Sequence, residues 1–116
     1  MLTLFDTSVW IRHFKVPDQQ LVTALEDGSA LIHEAIIGEL AVGRIPKPKS
    51  TLSDLLSLPF APAVPFRELS ELLQRRNLVS RGLSWIDVHL IGSALAADAE
   101  LLSYDAPLAA VWRTVR

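Results

Sequence analysis

Four acidic side chains occupy positions in this sequence that suit a reaction centre. Asp6 and Asp105 directly follow short apolar runs, whereas Glu39 and Asp87 interrupt apolar stretches. Four converging carboxylates cannot all stay ionised without raising one or more pKa values, and a divalent metal ion resolves that conflict. Because the chain has no cysteine and no histidine cluster, its oxygen ligands favour a hard ion, Mg²⁺ or Mn²⁺. Such an ion can activate a water and stabilise charge on a phosphoryl oxygen, as in metal nucleases.

The stretch from Met1 to Ser8 predicts where the first acid lies. An apolar run that stops at Asp6 and continues as Thr7-Ser8 is typical of a buried parallel strand. In open α/β sheets, ligands bind just beyond the carboxyl ends of the strands. Since Asp105 also follows a strand-like run, both acids are expected at the same edge of one sheet.

The elements that must position these acids alternate along the chain, and this predicts a doubly wound α/β fold in a single domain over residues 1–116. The predicted strands are Leu2–Phe5, Ser29–His33, Glu100–Tyr104 and two edge strands, Pro62–Phe66 and Thr114–Arg116. The predicted helices are Val9–Phe14, Asp18–Asp27, Ala35–Val42, Thr51–Leu58, Arg67–Val79, Ser84–Ala97 and Pro107–Trp112.

Composition limits the classes of protein. The chain has 116 residues, half of them apolar, which is enough for one core without disulfides. No apolar run reaches the length of a membrane span and the start has no basic segment, so we expect a cytoplasmic protein without a membrane partner. A net charge of −2 argues against binding nucleic acid by bulk charge alone, although eight of the eleven basic residues are arginine.

Four segments in order resemble PIN-domain ribonucleases, and among them the VapC-type toxins of bacterial type II toxin–antitoxin modules. The segments are Leu4-Phe-Asp6-Thr-Ser-Val-Trp10, Ile37-Gly-Glu39-Leu-Ala-Val-Gly43, Trp85-Ile-Asp87-Val-His-Leu-Ile-Gly-Ser-Ala94 and Leu102-Ser-Tyr-Asp105. No single segment is specific. The resemblance depends on all four segments occurring in the family's order, at roughly its spacing, over nearly the whole chain.

The resemblance implies a Mg²⁺- or Mn²⁺-dependent endoribonuclease with a three-layer α/β/α fold and a mostly parallel sheet of four to five strands. It implies catalytic roles for Asp6, Glu39, Asp87 and Asp105, with Asp6 and Asp87 as metal ligands. Ser8 would bind substrate by orienting a metal-bound water or a phosphate. The resemblance also implies an RNA substrate such as tRNA or rRNA, a homodimer, and a cognate antitoxin that covers the active-site groove.

Each acid also has a purely structural interpretation. Asp6 can cap the helix that follows it, and Asp87 fits a capping box with Ser84. Glu39 can be a solvated helix residue and Asp105 a turn residue. The histidines (His13, His33 and His89) are expected mainly to have structural roles. The tryptophans (Trp10, Trp85 and Trp112) are expected mainly to pack in the core or in a dimer interface, although tryptophans can also stack on bases.

Other functions remain open at this point. One alternative is a solitary PIN-domain nuclease outside a toxin–antitoxin pair. Another is a phosphatase with Asp6 as nucleophile, although the haloacid-type pattern places a second Asp two positions on, where this chain has Ser8. A third is a non-catalytic α/β interaction module, and acids at all four positions argue against it.

Overall fold

Three short parallel strands lie at the centre of the fold. The structure is a computed structural model that describes all 116 residues. The strands are β1 (Thr3–Phe5), β2 (Ala30–Leu31) and β3 (Glu100–Leu102). The helices are α1 (Thr7–Lys15), α2 (Gln19–Asp27), α3 (Glu34–Val42), α4 (Pro48–Leu56), α5 (Phe66–Arg75), α6 (Trp85–Ala96) and α7 (Ala106–Val115).

The sheet order is β2-β1-β3, so β1 is the central strand. Leu4 pairs with Leu31 on one side and with Leu101 on the other. The crossover from β1 to β2 and the crossover from β2 to β3 run in opposite directions across the sheet. Because such connections are right-handed, their helices cover opposite faces of the sheet. The predicted α/β class with a parallel sheet is therefore confirmed.

The core forms around β1 because its side chains are apolar on both faces. Leu4 and Phe5 are almost fully buried, and α6 packs against both β1 and β3. Gly92 of α6 lies against Leu69 of α5, where a Cβ atom would stand 2.5 Å from Leu69 Cδ2. The missing side chain thus lets α5 pack closely on α6. None of the seven helices has the length and apolarity needed to cross a membrane.

Local signals placed several helix ends correctly. The Asp18 carboxylate accepts a hydrogen bond from the N–H of Leu21 at 3.1 Å and caps α2. Gly28 ends the same helix with φ of 73°, a left-handed conformation that glycine adopts without strain. Both features follow from residues only a few positions apart, so the sequence predicts them directly.

Both predicted edge strands are wrong, and the sheet has three strands instead of four or five. In place of a Pro62–Phe66 strand, a single parallel bridge joins Phe60 to Ile32. The prolines that flank this bridge have no N–H for a ladder, and Pro65 precedes α5 as its cap. Thr114 and Val115 continue α7, because Val115 is buried on the same face as Val111 and Leu108.

Candidate active site

The carboxyl edge of the sheet gathers the ends of all three strands and the beginnings of four helices. Asp6 follows β1 and precedes α1, His33 follows β2 and caps α3, and Asp105 follows β3 and caps α7. Asp87 lies in the first turn of α6, which runs antiparallel to β3 and therefore begins at this edge. The connections that follow β1 and β3 lie on opposite faces of the sheet, and this leaves a crevice between the ends of these two strands. Ligands of open α/β sheets usually bind in such a crevice.

Asp6 is buried, and two serine hydroxyls hold one of its oxygens. Ser103 Oγ donates to Asp6 Oδ2 at 2.7 Å, and Ser8 Oγ donates to the same oxygen at 2.9 Å. Each hydroxyl has one proton, so the 3.4 Å approach of the two serines is a consequence of their shared acceptor. The Asp6 side chain makes no capping bond to α1, and a helix cap therefore does not explain it.

The same two serines also bind the backbone that follows β3. Ser8 Oγ accepts from the N–H of Tyr104 at 2.9 Å, and Ser103 Oγ accepts from the N–H of Asp105 at 3.0 Å. Asp6 itself donates its N–H to the carbonyl of Leu102 at 2.9 Å. These bonds fix the end of β1 against the end of β3.

Glu39 lies on α3, half-buried, and faces the first turn of α1. Thr7 Oγ1 donates to Glu39 Oε1 at 2.6 Å. A charge-assisted bond of this length orients the carboxylate. Glu39 is therefore not a freely solvated helix residue, and α1 and α3 are joined at the edge where Asp6 lies.

Asp87 combines a capping role with an electrostatic link to the other acids. Its Oδ2 accepts from the N–H of Ser84 at 2.9 Å, while Ser84 Oγ accepts from the N–H of Asp87 at 3.1 Å, which completes the predicted capping box. Burial raises the pKa of the Asp87 carboxyl, and the Ser84 hydrogen bond opposes this effect. The charges of Asp6 and Asp105 raise the same pKa further. The charges of Asp6 and Asp105 therefore both reach the Asp87 carboxyl at the edge of the sheet.

Asp105 is exposed and caps α7. Its Oδ2 accepts from the N–H of Leu108 at 3.2 Å, so the structural role expected of a turn residue is present. Its charge still reaches Asp87. The capping bond fixes where the carboxylate lies and leaves its second oxygen free of hydrogen bonds.

Comparison with known proteins shows the family of this chain. The PIN domain family matches residues 3–112. The chain belongs to the PIN-domain family. It is 41% identical over 110 residues to "Ribonuclease VapC32" of Mycobacterium tuberculosis, from strain CDC 1551 / Oshkosh and equally from strain ATCC 25618 / H37Rv. The alignment covers 94% of this chain and 89% of each relative. Within the family, this PIN domain is therefore of the VapC type.

A solved structure also shares the fold. The crystal structure of PAE2754 from Pyrobaculum aerophilum superposes with a TM-score of 0.62 over 96% of this chain and 79% of that chain. The sequence identity is 18%, so this likeness concerns the fold alone. It supports the three-layer architecture predicted for the PIN domain.

The donor set of this PIN domain fits a hard divalent ion, although no three acidic or histidine side chains converge closely enough to hold one as they stand. Each of the four acids accepts hydrogen bonds at one oxygen only: Asp6 Oδ2, Glu39 Oε1, Asp87 Oδ2 and Asp105 Oδ2. The second oxygen of each carboxylate has no protein partner. Mg²⁺ commonly takes only one or two carboxylates and keeps several waters, so a pair such as Asp6 and Asp87 is sufficient.

The histidines and tryptophans of the PIN domain divide between core and surface. His33 is buried, and its Nδ1 accepts from the N–H of Ala35 at 3.0 Å, so it caps α3 in its neutral form. Burial, and then the charge of His89, lower the pKa of His33. Trp10 and Trp112 are buried as expected, whereas Trp85 is 42% exposed. Core packing is therefore wrong for Trp85, whereas packing in a dimer interface stays a prediction.

Two residues of this site were missed from the sequence. Ser103 comes after β3 in the same way as Ser8 comes after β1. A serine after each of two neighbouring strands is the sequence feature from which Ser103 could have been predicted. Thr7 stands between the two residues that were singled out, Asp6 and Ser8, but its partner lies 32 positions away. No local pattern indicates that partner.

Proposed function

We propose that this PIN domain is a Mg²⁺- or Mn²⁺-dependent endoribonuclease that hydrolyses RNA phosphodiester bonds and leaves a 5′-phosphate and a 3′-hydroxyl. The observation that supports it most directly is that Asp6, Asp87 and Asp105 lie at the carboxyl edge of one sheet, where the charges of Asp6 and Asp105 raise the pKa of Asp87. Such a cluster of repelling carboxylates has a physical reason to exist if a cation neutralises it. The identity to "Ribonuclease VapC32" supports the same reaction class.

The roles of the residues follow from their hydrogen bonds. Asp6 and Asp87 would hold the ion, which supplies positive charge to polarise a phosphoryl oxygen and to favour ionisation of the attacking water. Ser8 and Ser103 keep Asp6 Oδ2 fixed, so that its other oxygen faces a constant direction. Thr7 likewise fixes Glu39, whose free oxygen can orient the attacking water. Asp105 would complete the acidic pocket from the side of β3 and hold a second ion or a water.

Cleavage of RNA by the purified protein tests this function. We expect cutting with Mg²⁺ or Mn²⁺ and none with EDTA, and we expect Asp6→Asn and Asp87→Asn to lose at least about a hundredfold in kcat because each removes a metal ligand. Asp98→Asn is the matched control. Asp98 is exposed between α6 and β3, at the opposite edge of the sheet, and its φ of 52° suits asparagine equally well. Cutting by purified Asp6→Asn at the wild-type rate would refute the proposed mechanism.

We further propose that the protein is the toxin of a type II toxin–antitoxin pair and works as a homodimer. Exposed apolar side chains support a protein interface, among them Val42 at 90%, Val16 at 70% and Leu56 at 60%. Expression of the wild type should arrest growth, Asp6→Asn should not, and the product of a neighbouring small open reading frame should relieve the arrest. Sedimentation of the purified chain measures its oligomeric state. Active protein without growth arrest would instead indicate a solitary PIN-domain nuclease.

A further inference from the structure

A run of four aromatic rings extends from the surface to the end of β2. Phe66 and Trp85 have ring centroids 5.6 Å apart at an interplanar angle of 49°. Trp85 meets His89 edge-to-face at 5.0 Å, and His89 meets the buried His33 at 6.0 Å. Phe66 and Trp85 are the first residues of α5 and α6, so both rings lie where these helices begin.

The outer two rings are unusually open to water. Phe66 is 71% exposed and Trp85 is 42% exposed, whereas Trp10 and Trp112 are 4% and 5% exposed. Removing large aromatic surfaces from water is favourable, so two adjacent exposed rings indicate a surface that another molecule covers. Trp85 is the first residue of α6 at the carboxyl edge of the sheet, and its ring connects through His89 to His33, which follows β2 at the same edge. This aromatic platform of Phe66 and Trp85 therefore lies at the edge of the sheet where the acids lie.

A base of the proposed RNA substrate fits this platform. The chain has a net charge of −2, and its acids cluster at the sheet edge, so bulk attraction cannot draw in a polyanion. Affinity for RNA then has to come partly from uncharged contacts, and base–aromatic stacking is one that every base can make. The Trp85 ring is also held by its edge-to-face contact with His89.

We propose that Phe66 and Trp85 form a stacking subsite for an unpaired base of the RNA, next to the phosphodiester that the acids act on. This inference rests on the proposed ribonuclease function. It predicts that the enzyme selects single-stranded or looped RNA, since a paired base has no free face to offer. Trp85 is a binding residue in this scheme and takes no part in the chemical step.

Tryptophan fluorescence tests the contact without any catalysis. Because Trp10 and Trp112 are buried, acrylamide quenching reports mainly on Trp85. In EDTA, a short oligoadenylate should protect the emission from acrylamide, and an abasic phosphodiester oligomer of the same length should not. Equal protection by both oligomers, or by neither, would overturn the stacking subsite.

Steady-state kinetics of RNA cleavage in the presence of metal are the second test. Trp85→Ala should raise KM for a single-stranded RNA roughly 5- to 150-fold with little change in kcat, and Trp85→Phe should recover most of the loss. Phe66→Ala should raise KM less, and Val79→Ala, at an exposed apolar residue after α5, is the surface control. Circular dichroism and thermal unfolding show whether each variant is folded.

The outcomes separate the two proposals. If wild type cuts RNA and Trp85→Ala keeps its KM, the stacking subsite is wrong and the nuclease stands. If wild type cuts nothing but oligoadenylate still protects Trp85, the subsite stands and the nuclease is wrong. If Trp85→Ala weakens self-association or antitoxin binding while RNA binding is unchanged, the platform is a protein interface and the subsite is refuted.

Discussion

Ser103 donates a hydrogen bond of 2.7 Å to Asp6 Oδ2, across 97 residues of sequence and between the ends of two neighbouring strands. The serine is 8% exposed and the carboxylate 6% exposed, so water cannot easily replace this donor. The bond makes the position of Asp6 depend on the packing of β3 against β1.

Ser103→Ala should destabilise the protein and lower its activity together. Loss of a buried bond to a charged acceptor costs about 1.5–3 kcal/mol, and the N–H of Asp105 loses its acceptor as well. Urea unfolding measures the stability and RNA cleavage measures kcat. Ser53→Ala, an exposed serine of α4 without a recorded side-chain hydrogen bond, is the control. Wild-type stability in Ser103→Ala would mean that the bond does not hold Asp6.

Thr7→Val should reduce kcat while the fold persists. Valine keeps the shape of threonine but cannot donate to Glu39 Oε1, so the carboxylate loses its fixed orientation. We expect roughly a tenfold loss or more in kcat, with Thr7→Ser retaining the hydroxyl and most of the activity. Steady-state cleavage kinetics compare the two variants. Equal activity of both would show that Glu39 needs no support from Thr7.

Asp87 should make the stability of the metal-free protein fall as pH rises. Its pKa in the folded state is raised above the usual 3.8 by burial and by the neighbouring acids. Between the two pKa values the folded state binds more protons than the unfolded chain, so stability is highest at the acidic end and declines toward neutral pH. Asp87→Asn removes this decline and can keep the Ser84 capping bond through its amide oxygen.

Urea unfolding from about pH 4 to about pH 7 measures this effect. The stability of Asp87→Asn relative to wild type should increase across the range, and Asp98→Asn should show no such trend. A constant difference between Asp87→Asn and wild type would contradict the prediction. Added Mg²⁺ or Mn²⁺ should stabilise wild type more than Asp87→Asn, because only the wild type keeps both proposed ligands.

Gly92→Ala should destabilise the protein although alanine is the better helix former. The new methyl group would stand 2.5 Å from Leu69 Cδ2, and Leu69 is fully buried between α5 and α6. Overpacking of this kind costs about 1–3 kcal/mol, which exceeds the gain of about 1 kcal/mol in helix propensity. Thermal unfolding measures the loss. The double variant Gly92→Ala/Leu69→Ala should lose less stability than the sum of the losses of the two single variants. The alanine methyl at position 92 would occupy space that the shortened side chain at position 69 leaves empty.

The sequence by itself determined most of the elements and several of the helix ends. Apolar periodicity identified β1, β3 and the amphipathic α5, and short-range signals such as the Asp18 cap, Gly28 and the Ser84–Asp87 capping box fixed helix ends. These features are predictable because the interacting atoms belong to residues a few positions apart. The four acids were likewise visible, since a carboxylate after a strand or inside an apolar run is conspicuous.

Tertiary structure decided which side chains meet. Ser103 reaches Asp6 and Thr7 reaches Glu39 only because parallel strands bring their carboxyl ends to one edge, and sequence separations of 97 and 32 residues carry no signal of such contacts. Packing also decided that Thr114 and Val115 extend α7 and that Trp85 stays at the surface. Local propensity sets what each segment can form, but burial against distant segments selects the outcome.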